Sequence, residues 1–425
     1  MSLRSLAKKV IDYTIEDEYK VYRLKKTPFA YRRKYTQEYH EKYDALPIRS
    51  NKVVISNYMG SGYGCNGKYV LEYLLKNEPE FAKELDLVWV VRDAEKNKEC
   101  FPPQVRLVEY GSFQAMQEYA TARVWLQNFQ MVHYLNKGLL KRDGQVYIQM
   151  WHGSLGIKKI EGAVDYLNRD KAWLSLAKKN AAYTDYWISN SDFETKVYRE
   201  AFWGAGTILE YGHPRNDIFY ADRSEAVRKI RETYGILQNQ KLLLYVPTFR
   251  DGAKGNKKLP DGVKIADSLN KRFGGDWVLA IRQHPRIAAD GKLENDAGQN
   301  VWRNVTFYPD IQELLAAADV VLTDYSSAIF DFVLTGRPGF LLMEDYKEYE
   351  DLRGLYYSPH ESPFPVSYTQ EQLCEKITGF NEEQYQQKVQ AFLREKGCRE
   401  DGNAAERVTQ LIKEIIVGRL EVQDD

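Results

Sequence analysis

Ala318-Asp319-Val320-Val321-Leu322-Thr323-Asp324-Tyr325-Ser326-Ser327 is a short β-branched run ending in a polar turn, followed by a helical stretch over 328–334 and then Gly336 and Pro338. A strand feeding a serine pair and then a helix is half of a βαβ unit, so the question is whether such units recur. They do. On either side, strand-like runs lie at 242–247, 277–283, 305–308 and 339–343, in a series that begins at Lys241. A first series occupies 53–57, 87–91, 105–108, 124–128, 146–151, 186–189 and 207–210, with helix-length patterns such as 68–76 and 192–201 between them. Strand alternating with helix predicts two α/β domains with mostly parallel sheets. The polar stretch 223–240 reads as the boundary. The expected organisation is a basic segment over 1–50, an α/β domain over 51–235, a second over 236–400, and a C-terminal helix and tail over 401–425 that close back on the first domain.

The 425 residues carry 60 Lys and Arg against 60 Asp and Glu, a balance that argues against a nucleic-acid binder. With 44% hydrophobic and 13% aromatic residues the chain has material for two cores. Cysteines 65, 100, 374 and 398 are too few and scattered for a disulfide framework or paired metal-ligand spacing, which fits a reducing, cytoplasmic compartment. No apolar run reaches the roughly 18 residues of a membrane span, and no signal-peptide pattern opens the chain, so the expectation is a protein neither spanning a membrane nor exported. Residues 1–50 hold 12 Lys and Arg against 7 Asp and Glu, and Leu3, Leu6, Val10 and Tyr13 recur at helical spacing. That pattern suits a helix on an anionic membrane surface, and equally a helix packed on its own domain.

Open parallel sheets bind ligands at the carboxyl ends of their strands, so those loops carry the candidate residues. Gly62-Tyr63-Gly64-Cys65-Asn66-Gly67 matches G-x-G-x-x-G, and Lys68 nearly completes a phosphate loop. Tyr69 stands where a magnesium-binding hydroxyl belongs, and the acidic residue that should hold a ribose about 20 residues on is missing from a convincing position, since the second strand ends near Asp93, too far along. Neither an NTPase nor a nicotinamide enzyme fits well; a glycine loop that lets backbone and ligand approach closely fits better. The run 147–153 delivers His152 at a strand end, placed to take a proton from a hydroxyl, although a core histidine has the same local pattern. Lys158 and Lys159 read as solvated. Gly212-His213-Pro214-Arg215-Asn216-Asp217 is a turn in which Asn216 and Asp217 cap the helix that follows.

In the second domain Thr248 and Arg250 follow a strand end, and alternation puts Val278, Ala280, Arg282 and His284 on one face. Guanidinium beside imidazole suits an oxyanion. Ser326 and Ser327 at a helix start add hydroxyls and unpaired N–H groups to the same anion cradle.

The runs Trp151-His152-Gly153, Gly212 with Pro214-Arg215-Asn216-Asp217, Pro247-Thr248-Phe249-Arg250-Asp251, Arg282 with His284-Pro285, and Thr323-Asp324-Tyr325-Ser326-Ser327 with Phe330-Asp331-Phe332 resemble, in order, the CDP-glycerol glycerophosphotransferases, which include teichoic-acid primases and polymerases. The resemblance implies a GT-B fold, two Rossmann-like α/β domains facing a central cleft, and peripheral attachment to the inner face of the cell membrane. It implies a CDP-glycerol or CDP-ribitol donor, a polyprenyl-diphosphate-linked or glycan acceptor, and release of CMP in teichoic-acid or capsule-like polymer synthesis. Carried over by motif, His152 is the catalytic base and His284 a second catalytic residue. Arg250, Thr248, Arg282, Asp324, Ser326 and Ser327 bind the donor, and the loop with Gly62, Gly64 and Asn66 lies on the acceptor side. No metal or other cofactor is required. Three positions depart from the pattern: His213 in Gly-x-Pro-Arg, Phe249 where tryptophan is common, and Asn66-Gly67-Lys68 in place of Asn-Pro-Lys. The short N-terminal extension leans toward single addition or a capsule-type enzyme. The competing expectations are a nucleotide-sugar glycosyltransferase or epimerase on the same fold, and a non-catalytic binder of lipid-linked glycan.

Overall fold

The structure, a computed structural model, describes residues 39–165, 171–248, 259–283 and 301–418. Residues 1–38 of the basic segment, Phe249, Arg250, Asp251, His284, Pro285 and the tail from 419 lie outside the described residues.

Seven strands form the first sheet: β1 (Arg49–Ser56), β2 (Asp86–Val91), β3 (Arg106–Glu109), β4 (Ala122–Gln127), β5 (Val146–Gln149), β6 (Tyr186–Ile188) and β7 (Thr207–Leu209). Six form the second: β8 (Gln240–Val246), β9 (Asp276–Ile281), β10 (Trp302–Asn304), β11 (Val320–Thr323), β12 (Gly339–Leu342) and β13 (Val366–Ser367). The orders are β3-β2-β1-β4-β5-β6-β7 and β10-β9-β8-β11-β12-β13, and every pairing is parallel.

Successive strand residues point to opposite faces, which is why β1 feeds two separate cores. Val53 and Ile55 pack with Val70, Leu71 and Leu74 of helix Cys65–Asn77 and with Val408, Leu411 and Ile412 of the C-terminal helix Ala404–Ile416. Val54 faces the other way, onto Ala115, Met116 and Tyr119 of helix Phe113–Thr121, together with the buried Tyr39 and Tyr43. The last part of the basic segment is thus drawn into the first domain. Gly67 explains the absent proline in its motif. A Cβ there would stand 2.9 Å from Ile55 and 3.1 Å from Trp89, so glycine lets the helix lie close on the sheet.

Three expectations need correction. The strand expected over 305–308 is instead Trp302–Asn304, because the Asn304 side chain accepts from Thr306 N at 2.9 Å and turns the chain. The strand expected to reach Trp151 stops at Gln149, since Trp151 adopts a left-handed backbone (φ 47°). The helix expected over 328–334 is only Ala328–Phe332 followed by a 3₁₀ turn, and Ser327 makes no capping bond.

Each sheet reverses its strand order once, between β1 and β4 and between β8 and β11, which opens a crevice at the carboxyl end of each sheet.

Candidate active site

At the first reversal the ends of β1 and β4 are clasped by two asparagines. Asn128 Nδ2 donates to Asn57 Oδ1 at 2.6 Å, and Asn128 Oδ1 accepts from Tyr58 N at 2.7 Å. The Asn128 carbonyl is left over, and His152, just beyond β5, fills it through Nδ1 at 2.9 Å. A carbonyl only accepts, so Nδ1 carries the proton and Nε2 keeps a lone pair. Tyr58 and Trp151 wall the half-buried ring, with centroids 4.7 and 4.4 Å away. Burial pulls the His152 pKa down to about 3, against the opposing effect of the Asn128 carbonyl and with help from the positive charge of Arg215. The imidazole is therefore neutral across the physiological range, in the tautomer that accepts a proton at Nε2.

At the second reversal a carboxylate and a hydroxyl do the clasping, the Thr323 hydroxyl donating to the Val246 carbonyl. Asp324 Oδ1, after β11, accepts from Thr248 N after β8 at 2.8 Å and from Tyr325 N at 2.6 Å. Asp324 is buried, while Ser326 and Ser327 beside it are half-buried. Ser326 Oγ accepts a long bond, 3.4 Å, from Ala328 N. Arg282, just past β9, donates through Nη1 to the Tyr308 carbonyl at 2.5 Å. Burial lowers its pKa to about 10, with Asp310 opposing, so the guanidinium stays charged at neutral pH.

Contacts that local sequence does not show join the halves. Lys68 pairs with Asp310 at 2.8 Å and Glu313 at 2.5 Å, Tyr69 OH donates to Asp310 at 2.8 Å, and a Cβ on Gly64 would lie 3.2 Å from the Pro309 carbonyl. The would-be phosphate loop thus faces protein, whereas at Gly62 (φ 120°) an added Cβ would meet open space. Asn66 is fully engaged as a tie: Nδ2 donates to the carbonyls of Met150 and Trp151 at 3.1 and 3.0 Å, and Oδ1 accepts from Arg215 N at 3.1 Å. Arg215 is buried, pairs with Asp331 through Nε at 2.9 Å, and donates to the Gly153 carbonyl. The residue next to His152 is thereby fastened to the helix that follows Ser326 and Ser327. Beyond it the chain crosses over: Leu155 and Ile157 are buried in the second domain's core, Ser327 Cβ lies 3.3 Å from where a Gly156 Cβ would stand, and Lys158 bridges Leu355. Lys158 is in this way part of the crossing rather than merely solvated.

Asp217 does cap a helix, but the distant one: it accepts from Ala404 N and Ala405 N at 3.1 and 2.7 Å, which corrects the expectation of a local cap. Asn216 likewise reaches Glu400 at 2.7 Å and Gln312 at 3.0 Å. Burial raises the Glu400 pKa to about 8, with Asn216 and Asn190 opposing. Sequence reasoning missed Asn57, Asn128, Asp331 and Glu400 as organising residues. The available signal was an asparagine directly after each of two strands, and a lone carboxylate in the apolar run Phe330-Asp331-Phe332. Among the described residues no group of three or more His, Cys, Asp or Glu side chains is arranged to hold a metal ion.

Residues 40–414 match the family described as CDP-Glycerol:Poly(glycerophosphate) glycerophosphotransferase. The teichoic acid poly(glycerol phosphate) polymerase of Staphylococcus epidermidis is 30% identical over 86% of this chain, which spans 51% of that protein's length. The Bacillus spizizenii protein of the same description is 28% identical, over 86% of this chain and 92% of its own length. A teichoic acid ribitol-phosphate primase of Bacillus spizizenii is also 28% identical, over 87% of this chain and 93% of its length. Among solved structures, a variant of the wall teichoic acid polymerase TagF soaked with CDPG aligns with a TM-score of 0.78 at 28% identity, covering 92% of this chain and 95% of that one.

Proposed function

The chain belongs to the CDP-glycerol:poly(glycerophosphate) glycerophosphotransferase family, and from that premise we propose that it transfers glycerol phosphate from CDP-glycerol to a hydroxyl of a lipid-linked or glycan acceptor, with CMP as the second product. The observation that carries the reading is the neutral His152, its Nδ1 committed to the Asn128 carbonyl and its Nε2 left to accept, on a loop tied to the Ser326-Ser327 turn across the cleft. In the proposed reaction Nε2 takes the proton of the acceptor hydroxyl. The hydroxyl oxygen attacks the phosphorus that bears glycerol, the bond to the α-phosphate oxygen breaks, and CMP departs with the electron pair. Charge grows on both phosphates as this happens. Arg282 meets it with a positive group and Ser326 and Ser327 with hydrogen-bond donors, and Arg250 and His284 are assigned by their motifs to the same diphosphate, which lowers the barrier electrostatically. Asp324 holds the Thr248 and Tyr325 amides so that these loops keep their shape.

The test is CMP release and product analysis with CDP-glycerol, CDP-ribitol and a set of UDP-sugars, each offered with a polyprenyl-diphosphate-linked acceptor. Glycerol phosphate transfer with CDP-glycerol supports the reading, and CDP-ribitol as the better donor shifts it to ribitol phosphate. Hexose transfer or isomerisation of a UDP-sugar sinks it, and donor binding without turnover on any acceptor favours the non-catalytic binder. Among the described residues no helix is long and apolar enough to cross a membrane. Peripheral attachment through the basic residues 1–20 is the accompanying proposal. Deleting them should lower binding to anionic vesicles, with the difference shrinking at high salt, and unchanged binding removes that role.

A further inference from the structure

Among the described residues seven large hydrophobic side chains are exposed, and Phe307 is the most exposed of them at 74%. Its neighbours are the opposite: Thr306 is 2% and Tyr308 6% exposed. The loop is therefore not a loose excursion into solvent. Thr306 Oγ1 accepts from Gln283 N at 3.0 Å, and the Tyr308 carbonyl accepts from Arg282 Nη1 at 2.5 Å, so Phe307 is flanked by two bonds to the strand end that carries Arg282. Two and three residues on, Pro309 and Asp310 meet Gly64, Lys68 and Tyr69 of the first domain. A rigid segment at the carboxyl edge of the second sheet, anchored at both ends and next to the cleft, thus holds a phenyl ring out in water, where it makes no ring contact with any described residue.

Such a ring contributes little to folding where it stands, and held by its buried neighbours at the edge of the site it offers a flat face on which another ring can stack. Of the parts of a nucleoside-diphosphate polyol, the glycerol is flexible and hydroxylated and the diphosphate is an anion that the negative face of a phenyl ring repels. The base alone has a π-face. With Arg282 assigned to the diphosphate, Phe307 is the residue directly before Tyr308, whose carbonyl anchors that arginine, so the ring and the guanidinium belong to one edge of the site. We propose that Phe307 is the stacking platform for the cytosine ring of the donor. The inference rests on the donor reading above and extends it to a residue that no motif of the sequence marks. Stacking holds substrate and transition state alike, so it acts on donor affinity and not on the chemical step.

The experiment measures equilibrium binding of CMP, ribose 5-phosphate and inorganic pyrophosphate to the full-length protein and to Phe307→Ala and Phe307→Tyr. Loss of one base-stacking contact corresponds to a drop of roughly 5- to 150-fold in affinity. CMP should bind that much more weakly to Phe307→Ala and near normally to Phe307→Tyr, while pyrophosphate and ribose 5-phosphate are held as before. In turnover, Phe307→Ala should raise KM for CDP-glycerol with kcat within about twofold. Equal CMP affinity in wild type and Phe307→Ala overturns the proposal, as does an equal loss for CMP and ribose 5-phosphate. A rise in KM for the acceptor alone overturns it in favour of an acceptor-side contact. Wild-type protein that binds neither CMP nor CDP-glycerol overturns the donor reading and this inference together, whereas CMP binding that ignores Phe307 leaves the donor reading standing.

Discussion

The two strand-order reversals are built to one plan and loaded differently. At the first, Asn57 and Asn128 lock β1 to β4 and present a carbonyl to His152; at the second, Asp324 and the Thr323 hydroxyl, which donates to the Val246 carbonyl, lock β8 to β11. Every non-glycine residue with a left-handed backbone among the described residues, Tyr58, Met59, Cys65, Asp93, Trp151, Glu161 and Trp203, falls in the first half. Tyr58 and Trp151 are the two that wall His152. Left-handed non-glycine backbone costs on the order of 1–3 kcal/mol per residue and persists only where surrounding structure dictates it. The first half therefore carries strain around a group that must hold one tautomer and one direction. Among its described residues the second half holds no such backbone, and on the proposed reaction charge and hydrogen-bond donors there hold the diphosphate. On the proposed reaction, changes in the first half should strike turnover and changes in the second should strike donor affinity.

The sharpest way to break that contrast is His152→Ala, expected to slow CMP release by roughly 10²–10⁴-fold with an unchanged melting profile, the range typical of losing a general base. Near-normal turnover would remove His152 from the mechanism. Its pH dependence follows from the shift to about 3. Because the folded pKa lies below the ordinary value near 6.5, His152 stays neutral above about pH 4, so kcat/KM should show no fall attributable to it between pH 8 and 5. The stability sign runs the same way: the unfolded chain takes up this proton first, so the contribution of His152 is complete above about pH 6.5 and is lost as pH falls toward 3. His152→Asn should therefore flatten the acid side of a stability-against-pH curve, and an unaltered curve would contradict the burial argument.

Next in size is Arg215→Ala, which leaves Asp331 buried without its partner. A cost of about 3–5 kcal/mol in denaturant unfolding is expected, and activity should fall with it because the Gly153 carbonyl is released. A smaller effect belongs to Asp324→Ala, which removes the carboxylate that accepts from the Thr248 and Tyr325 amides. About 1–3 kcal/mol of local stability is at stake, and the contrast predicts a raised KM for CDP-glycerol ahead of any loss in kcat. If kcat falls first, the second half is as exacting as the first. The smallest effect is Arg228→Ala, which removes an exposed pair with Glu232 at 2.9 Å on helix Ser224–Tyr234, which follows β7 and precedes β8 in the chain. About 0.3–0.5 kcal/mol is expected, with activity unchanged.

Most strands were legible because parallel strands buried on both faces are continuous apolar runs bounded by turn residues, a local signal. The 320–323 strand and the 192–201 helix match residue for residue, the latter capped by Ser191 accepting from Glu194 N. The two-residue β13 carries too little pattern to be seen, and β10 was displaced by a side-chain turn that propensity does not register. The candidate loops were legible for the same local reason: each polar cluster directly follows a strand.

What the amino-acid order determined by itself is the pair of parallel sheets, the loops at their carboxyl ends and the kinds of side chain those loops offer, since all of this rests on spacing within a few residues. Which groups meet was decided only in three dimensions. Lys68 finds Asp310, Arg215 finds Asp331 and Asp217 finds Ala404 across more than a hundred residues of chain, and His152 owes its tautomer to a backbone carbonyl just past the end of another strand. Burial then sets the proton affinity of the imidazole, and burial is a property of the packed molecule that no local pattern contains.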